Sequence, residues 1–294
     1  MSILNRIVEA KRAEVREQQE LYPVKLLEKS IFYNSPAVSL SYYIKRKDLW
    51  GIIAEFKRKS PSGGILNEFA KPSRVCLDYM RAGASALSVV TDKKFFAGNR
   101  KDLKIARKYN YCPVLCKDFI IDEYQVHEAR SYGADAILLI ADILTGKEMK
   151  KLADLARSLS MEVLFEIHSR ECIARLPSGA SIIGINNRNL NDFSVDHKHS
   201  IELIDMLPPG TIKIAESGID SPEKYLKLKE AGFDGFLIGS HFMESPDPGR
   251  KCEKFIRQVI ELESRSDNNY SATDNTGIKK GNPEETALSG KNRS

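Results

Sequence analysis

Short apolar runs rich in β-branched residues recur from residue 51 onward, and segments with helical periodicity separate them. The runs are GIIAEF, ALSVVT, CPVLCK, AILLIA, EVLFEI, IIGIN, IKIAE and GFLIGS. They end near positions 55, 91, 117, 141, 166, 186, 216 and 239, at intervals from 20 (166 to 186) to 36 (55 to 91) residues. Eight strands that alternate with helices at this spacing predict an α/β fold of the (β/α)8 barrel type, with a doubly wound open sheet as the alternative.

Three segments that join a helix to the next strand are similar to one another: RAGASALSV, SYGADAILL and EAGFDGFLI. Each has a glycine where the helix should end, as expected for a left-handed C-terminal cap. Ahead of the barrel, residues 3–20 have the apolar periodicity of an amphipathic helix, which predicts a helical extension over residues 1–50. We expect the barrel over residues 51–263. Large apolar residues become rare after that, which predicts a disordered tail over residues 264–294.

Charge and composition limit the classes of partner. The 294 residues include 45 basic and 40 acidic side chains, for a formal charge of +5. This small surplus suits an anionic small molecule, and the basic block typical of nucleic-acid binding is missing from the sequence. No apolar stretch approaches the length of a membrane span, and the N-terminal sequence lacks the apolar core of a signal peptide. The five cysteines lack metal-binding spacing, so we expect reduced thiols in the cytoplasm.

Charged and amide side chains follow the apolar part of four predicted strands. Because alternate residues of a strand share a face, Ile53 should point into the barrel interior and Glu55 and Lys57 into its mouth. Catalytic groups of this fold project from the same ends of the strands. Each residue alone could form a salt bridge at the rim, but convergence of buried Lys and Glu predicts an acid-base site. The same alternation on three other strands adds Lys117, Glu166, Asn186 and Arg188 to this face.

Small residues follow the last two predicted strands, in AESGI and LIGS. Such residues let backbone N–H groups approach an anion, and the loops after strands seven and eight are the usual phosphate site of this fold. The sequence therefore predicts a phosphate ligand held by Ser217, Gly218, Gly239 and Ser240.

Other motifs carry less chemistry. Motifs for a P-loop, a dinucleotide loop and a hydrolase nucleophile are all missing from the sequence. His197 and His199 form an HxH pair without a third ligand nearby, so we expect solvated histidines and no metal site. His168 is expected to be a neutral residue packed at the rim. The pair Phe95–Phe96 either covers an aromatic substrate or caps the core.

Several segments closely resemble the indole-3-glycerol phosphate synthase family of tryptophan biosynthesis, among them IIAEFKRKSPSGG, SVVTDKKFFAGN, PVLCKDFIIDEYQV, EVLFEIH and IAESGI. The resemblance covers about residues 3–260, with Asn99 as a slight departure. It implies a carboxy-lyase that closes the ring of 1-(2-carboxyphenylamino)-1-deoxyribulose 5-phosphate and then releases carbon dioxide and water, without a metal or organic cofactor. From composition we expect a cytoplasmic protein that binds neither nucleic acid nor membrane. We also expect a monomer, with room for loose association with other enzymes of the pathway, although the sequence alone does not determine the oligomeric state.

The resemblance also implies roles for individual residues. Lys117 corresponds to the general acid that protonates the ribulose carbonyl, and Glu166 to the acid-base residue of the dehydration. Lys57 corresponds to the acidic partner of Glu166 or to a substrate clamp, and Glu55 to the residue that orients these groups. Which of the two lysines, Lys57 or Lys117, makes each proton transfer stays open. A lysine with a depressed pKa, between other cations, would suit the donor. The remaining matches contact substrate or phosphate: Asn186, Arg188, Ser60, Ser217, Gly218, Gly239 and Ser240.

Two other functions fit parts of the pattern. A sugar-phosphate isomerase or epimerase would account for the phosphate loops but not for Lys57, Lys117 and Glu166 together. A non-catalytic barrel that binds an anion or a partner protein would not need a carboxylate among the lysines.

Overall fold

The computed structural model describes residues 2–189 and 193–274 of the chain, and within these ranges ten strands. Eight of them form a closed parallel barrel in which β1 pairs with both β4 and β10, and β2 and β3 form a short antiparallel hairpin. The predicted barrel is confirmed, and closure excludes the doubly wound sheet, which would have two free edges. The strands are β1 (Ile52–Phe56), β2 (Lys59–Ser60), β3 (Gly64–Ile65), β4 (Ala86–Val90), β5 (Val114–Lys117), β6 (Ala136–Ile140), β7 (Glu162–Ile167), β8 (Ile182–Asn186), β9 (Ile212–Glu216) and β10 (Gly235–Ile238).

Helices precede the barrel and alternate with its strands. They are α1 (Ile3–Leu21), α2 (Val24–Leu27), α3 (Leu40–Ile44), α4 (Pro72–Arg81), α5 (Lys93–Phe96), α6 (Arg100–Tyr109), α7 (Glu123–Ser131), α8 (Gly146–Ser158), α9 (Arg170–Ile173), α10 (His197–Ile204), α11 (Pro222–Glu230), α12 (Ser240–Met243) and α13 (Pro248–Asp274). Helices α1 to α3 lie in the predicted extension. Helix α13 continues past the boundary predicted at residue 263, and residues 275–294 of the expected tail lie outside the described residues. None of the described helices is long and apolar enough to cross a membrane.

Local sequence signals explain where the helices around the barrel begin. Helices α7 and α8 start with capping boxes, in which Asp122 pairs with Gln125 and Thr145 with Glu148. Each box satisfies backbone N–H groups that have no partner within the helix. Helix α11 instead has proline at its first position, where the missing N–H costs nothing.

Most buried apolar residues of the described chain form two layers, one inside the barrel and one between the strands and the surrounding helices. The inner layer contains residues from alternate positions of the strands, among them Ile53, Leu115 and Leu164. This confirms the predicted inward face. Leu40 and Ile44 of α3 belong to the same layer, so this helix packs onto the barrel interior. Each fully buried Leu or Ile contributes about 1.5–3 kcal/mol, which makes this layer a main source of the barrel's stability.

The three predicted glycine caps have the expected backbone conformation. Gly83, Gly133 and Gly232 have φ of 98°, 92° and 99°, values that other residues rarely adopt. At Gly83 an added Cβ would meet only Ile256 methyl groups at 4.0 Å, so the backbone angle alone requires glycine there.

We expect Gly83→Ala to lower the free energy of unfolding by about 1–2 kcal/mol, because alanine is strained at this φ. Gly83→Asn should cost less, since asparagine tolerates positive φ better. Urea unfolding followed by circular dichroism measures both. An alanine variant as stable as the wild type, or an asparagine variant that loses more than the alanine one, would contradict the assigned cause.

Candidate active site

A cavity of about 320 Å³ opens at the C-terminal ends of the barrel strands. Period-two alternation and the barrel closure together bring the sequence candidates to this one volume. Its lining includes every one of them: Glu55, Lys57, Ser60, Lys117, Glu166, Asn186, Arg188, Ser217, Gly218, Gly239 and Ser240. Their shared location makes a common site of them, while the role of each stays a prediction.

Lys117, the last residue of β5, lies between two buried carboxylates. Its Nζ is 3.1 Å from Glu166 Oε2 and 2.7 Å from Glu216 Oε2. Burial alone would lower the pKa of Lys117, but the attraction of Glu166, Glu216 and Glu55 raises it above its usual value. The expectation of a depressed pKa is therefore wrong, because the groups in contact with this lysine are carboxylates rather than cations. The side chain stays protonated at neutral pH and can donate a proton.

Glu216, at the end of β9, is a site residue that the sequence interpretation missed. From the sequence, the small residues of AESG predict phosphate binding alone. However, Ile214 points inward, and Glu216, two residues later, shares its face of the strand. Gly184 on the adjacent β8 leaves the space for this carboxylate, since a Cβ there would collide with Glu216 Oε1. Among the described residues, this buried oxygen has no hydrogen-bond partner. It is therefore able to accept a hydrogen bond from a ligand.

The two carboxylates that contact Lys117 have different protonation tendencies. Burial raises the pKa of Glu216, and although Lys117 opposes this, the charge of Glu166 adds to it. Burial also penalises ionised Glu166, yet Lys117 and His168 lower its pKa below the usual range. Asn186 Nδ2 donates to Glu166 Oε1 at 3.1 Å and supports the same shift. When their environments separate the pKa values of two acids, one site can hold both an ionised base and a carboxyl group that binds a proton.

A second ion pair comes from β1 and the residue after it. Lys57 Nζ is 2.7 Å from Glu55 Oε1, and Glu55 is buried. Within the part of the chain that the structure describes, Glu55 Oε2 is buried without a hydrogen-bond partner. Ser60 Oγ accepts a hydrogen bond from Gly63 N at 3.0 Å, which shapes the β2–β3 hairpin beside the cavity. Arg188 Nη1 donates to a carbonyl of its own loop at 2.9 Å.

The histidines contact more than the sequence interpretation expected. His168 Nδ1 is 2.8 Å from Asp142 Oδ2, and its Nε2 is 3.5 Å from Glu166 Oε1. Burial would lower the pKa of His168, but the Asp142 and Glu166 carboxylates raise it above its usual value. This residue is thus an electrostatic neighbour of Glu166 instead of neutral rim packing. His197 and His199 interact through Nε2 with the carbonyl oxygens of Gly218 and His168, at 3.2 Å and 3.0 Å, and so join the start of α10 to the segments after β9 and β7.

One side of the cavity is apolar. The rings of Phe96 and Phe119 both line it, with centroids 5.9 Å apart, whereas Phe95 is not among the lining residues. Of the two alternatives for the aromatic pair, covering a substrate therefore fits Phe96. The first turns of α1 add Ile3, Leu4 and Ile7 to the same lining. The sequence predicted that α1 is amphipathic, but its apolar pattern does not reveal which surface it covers.

Comparisons with known proteins point to one family. A family model described as indole-3-glycerol phosphate synthase matches residues 4–257. The indole-3-glycerol phosphate synthase of Bacteroides thetaiotaomicron is 44% identical over 257 residues, 87% of this chain and 98% of the relative. That of Campylobacter curvus is 42% identical over 249 residues, 83% of this chain and 95% of the relative.

Among solved structures, tryptophan synthase subunit alpha from Legionella pneumophila str. Paris matches with a TM-score of 0.54 and 14% identity, over 76% of this chain and 98% of that chain. At this identity the match supports the barrel fold alone. The family model and the curated relatives cover nearly the whole barrel and its N-terminal helices. The chain belongs to the indole-3-glycerol phosphate synthase family.

Proposed function

We propose that the cavity closes the indole ring of 1-(2-carboxyphenylamino)-1-deoxyribulose 5-phosphate, and then releases carbon dioxide and water, by proton transfers among its own lysines and glutamates. Family membership makes the chain a carboxy-lyase that acts on a small phosphorylated substrate. The observation that carries the residue assignment is the contact of Lys117 with both Glu166 and Glu216 inside one cavity. A sugar-phosphate isomerase or epimerase would use the phosphate loops but would leave this set and the apolar side unexplained.

Lys117 is the general acid of ring closure in this proposal. The aromatic carbon that bears the carboxylate forms a bond to the ribulose carbonyl carbon, and the carbonyl π pair moves to oxygen, which takes a proton from Lys117 Nζ. The raised pKa of Lys117 keeps it protonated, and its two carboxylate partners hold the ammonium in place. The bond to the carboxyl carbon then breaks, and its electron pair restores the aromatic ring as carbon dioxide leaves.

Glu166 is the base of the dehydration. The hydroxyl on the new ring takes a proton and leaves as water, while Glu166 removes the proton from the adjacent ring position, whose electron pair completes the pyrrole double bond. The lowered pKa of Glu166 keeps it ionised for this step, and Asn186 orients it. We assign the acid of this step to Lys57, because this lysine pairs with Glu55 and is therefore separate from the Lys117 set.

The rest of the lining matches the ends of the substrate. Ser217, Gly218, Gly239 and Ser240 follow β9 and β10 and are the proposed phosphate contacts. The substrate carboxylate suits the cationic side chains, with Arg188 and Ser60 as further contacts. Phe96, Phe119 and the first turns of α1 are the proposed cover of the aromatic ring.

We propose that the protein acts as a monomer in the cytoplasm. We also propose that it associates loosely with other enzymes of the pathway. The five cysteines are unpaired and buried, which fits a reducing compartment. Sedimentation of the purified chain tests the monomer, and an added pathway enzyme tests the association.

Purified protein mixed with the anilino-deoxyribulose phosphate should produce indole fluorescence. Lys117→Ala should lower kcat by about 10²–10⁴, the usual contribution of an acid-base group. Lys151→Ala is the matched control, because this exposed lysine pairs with Glu123 away from the cavity, and it should turn over at the wild-type rate. A folded Lys117→Ala variant with a near wild-type kcat would remove Lys117 from the mechanism.

The pH dependence of kcat should include an acid limb set by Glu216. Since burial raises the pKa of Glu216 toward neutrality, this residue gains a proton as the pH falls through that range, and Lys117 then loses one of the two charges that hold it. We expect kcat to fall on acidification from neutral pH, and the limb to vanish in Glu216→Gln, whose kcat is lower throughout.

Glu166 and His168 lie beside the same charge cluster and also titrate. Glu166 is ionised well below neutral pH because its pKa is lowered, so it does not supply the limb. His168 has a raised pKa and is the control: a His168→Asn variant should keep the limb. A limb that persists in Glu216→Gln, or that disappears in His168→Asn, would show that the assignment to Glu216 is wrong.

A further inference from the structure

Helix α1 carries a lysine that is almost completely buried. Lys11 is 1% exposed, and its Nζ lies 2.9 Å from Glu14 Oε2, 3.0 Å from Asp92 Oδ2 and 2.8 Å from Asp118 Oδ1. Glu14 belongs to α1 itself. Asp92 and Asp118 instead follow the adjacent barrel strands β4 and β5. One ammonium group therefore joins the N-terminal extension to two neighbouring strand ends at the barrel mouth.

The charges in this cluster depend on one another. Burial by itself lowers the pKa of Lys11, but the attraction of Asp118, Asp92 and Glu14 outweighs it and raises this pKa above its usual value. In the same way, burial would raise the pKa of Asp118, and Lys11 keeps it below its usual range. Loss of one partner from a buried ion pair is strongly destabilising, because the other charge stays buried without compensation. Removal of the Lys11 ammonium would therefore disturb both aspartates.

Both aspartates hold residues of the cavity lining. Asp92 Oδ1 accepts hydrogen bonds from the backbone N–H groups of Phe95 and Phe96, at 2.8 Å and 3.3 Å, and so caps α5. Asp118 Oδ1 accepts from Phe119 N at 2.8 Å. Its Oδ2 accepts from Thr91 Oγ1 at 2.6 Å, which links the end of β4 to the end of β5. Phe96 and Phe119 are the two rings on the apolar side of the cavity.

Lys11 also holds α1, whose first turns complete the apolar side of the cavity beside Phe96 and Phe119. It lies one helical turn after Ile7, and residues four apart share a face of a helix. Ile7, together with Ile3 and Leu4, lines the cavity. The position of these apolar side chains over the cavity thus depends on how α1 sits on the barrel. The Lys11 ion pairs to Asp92 and Asp118 are among the direct contacts that set it, and they lie nearer to these side chains in the helix than the contacts of Glu14 and Gln18.

We propose that Lys11 is a positioning residue of the active site, whose ammonium holds α1, Phe96 and Phe119 together as one wall against the aromatic part of the substrate. Lys11 itself is not among the residues that line the cavity, so it acts through the groups it holds. The inference rests on the proposed function, since it assigns this wall to substrate binding. It predicts that Lys11 contributes mainly to KM, in contrast to Lys117, which contributes to kcat.

Lys11→Met, which keeps the length of the side chain and removes its charge, tests the proposal. In the indole fluorescence assay we expect KM for the anilino-deoxyribulose phosphate to rise about tenfold, equivalent to ~1.4 kcal/mol of lost binding. The fall in kcat should be smaller, because Lys117 keeps its contacts with Glu166 and Glu216. All assays are run well below the thermal unfolding midpoint of each variant.

Arg107→Met is the matched control for general destabilisation. Arg107 Nη1 pairs with buried Asp135 Oδ2 at 2.5 Å, and Asp135 precedes β6, at the opposite end of the barrel from the cavity. This variant should lose stability but keep a wild-type KM. Equal increases of KM in both variants, or a folded Lys11→Met with a wild-type KM, would overturn the role of Lys11.

Two further measurements keep the result decisive. If Lys11→Met does not fold, Asp92→Asn takes its place: it leaves Lys11 paired with Asp118 and Glu14, and it should raise KM by about threefold, equivalent to ~0.7 kcal/mol. A wild-type KM in this variant would count against the proposal. Wild-type protein that forms no indole product would overturn the proposed function itself, a result distinct from an active wild type whose KM does not depend on Lys11.

Discussion

The carboxylates at the barrel mouth and Lys11 are buried, Lys57 and Lys117 are largely so, and a buried charge is stable only when an opposite charge lies beside it. This constraint organises the site. Lys117 is paired with Glu166 and Glu216, Lys57 with Glu55, and Lys11 with Asp92 and Asp118, in each case at 2.7–3.1 Å. Each lysine thus has carboxylates in direct contact that balance its charge.

The same pairing determines what the groups can do chemically. A lysine surrounded by cations would lose its proton readily, whereas Lys117 beside carboxylates keeps it and is ready to donate. The carboxylates are affected unequally: Glu166 is supported by Lys117, His168 and Asn186, while Glu216 depends on Lys117 and lies near a second acid. An ammonium group, an ionised carboxylate and a carboxyl group with a raised pKa therefore result from one arrangement of charges, which suits the proton transfers proposed for this site.

The N-terminal extension is part of the working barrel in two ways. Leu40 and Ile44 of α3 pack into the inner apolar layer, which links the extension to the core of the fold. Helix α1 instead reaches the mouth, where its first turns line the cavity and Lys11 joins the ends of β4 and β5. Closed barrels leave their catalytic end open to solvent, and in this chain an added helix supplies an apolar side there.

The amino-acid sequence alone determined the repeated strand–helix units, the glycine caps and the inward-facing positions of the strands, because all of these depend on periodicity over a few residues. It also contained the signal for Glu216, two residues after Ile214, although the small residues that follow it suggested phosphate binding alone. Only the tertiary structure decided that Lys11 contacts Asp92 and Asp118, that His168 approaches Glu166, and that the pKa of Lys117 is raised. These properties depend on charges far apart in the chain, and the electrostatic environment of a buried group exists only after closure of the barrel has brought its neighbours within a few ångströms.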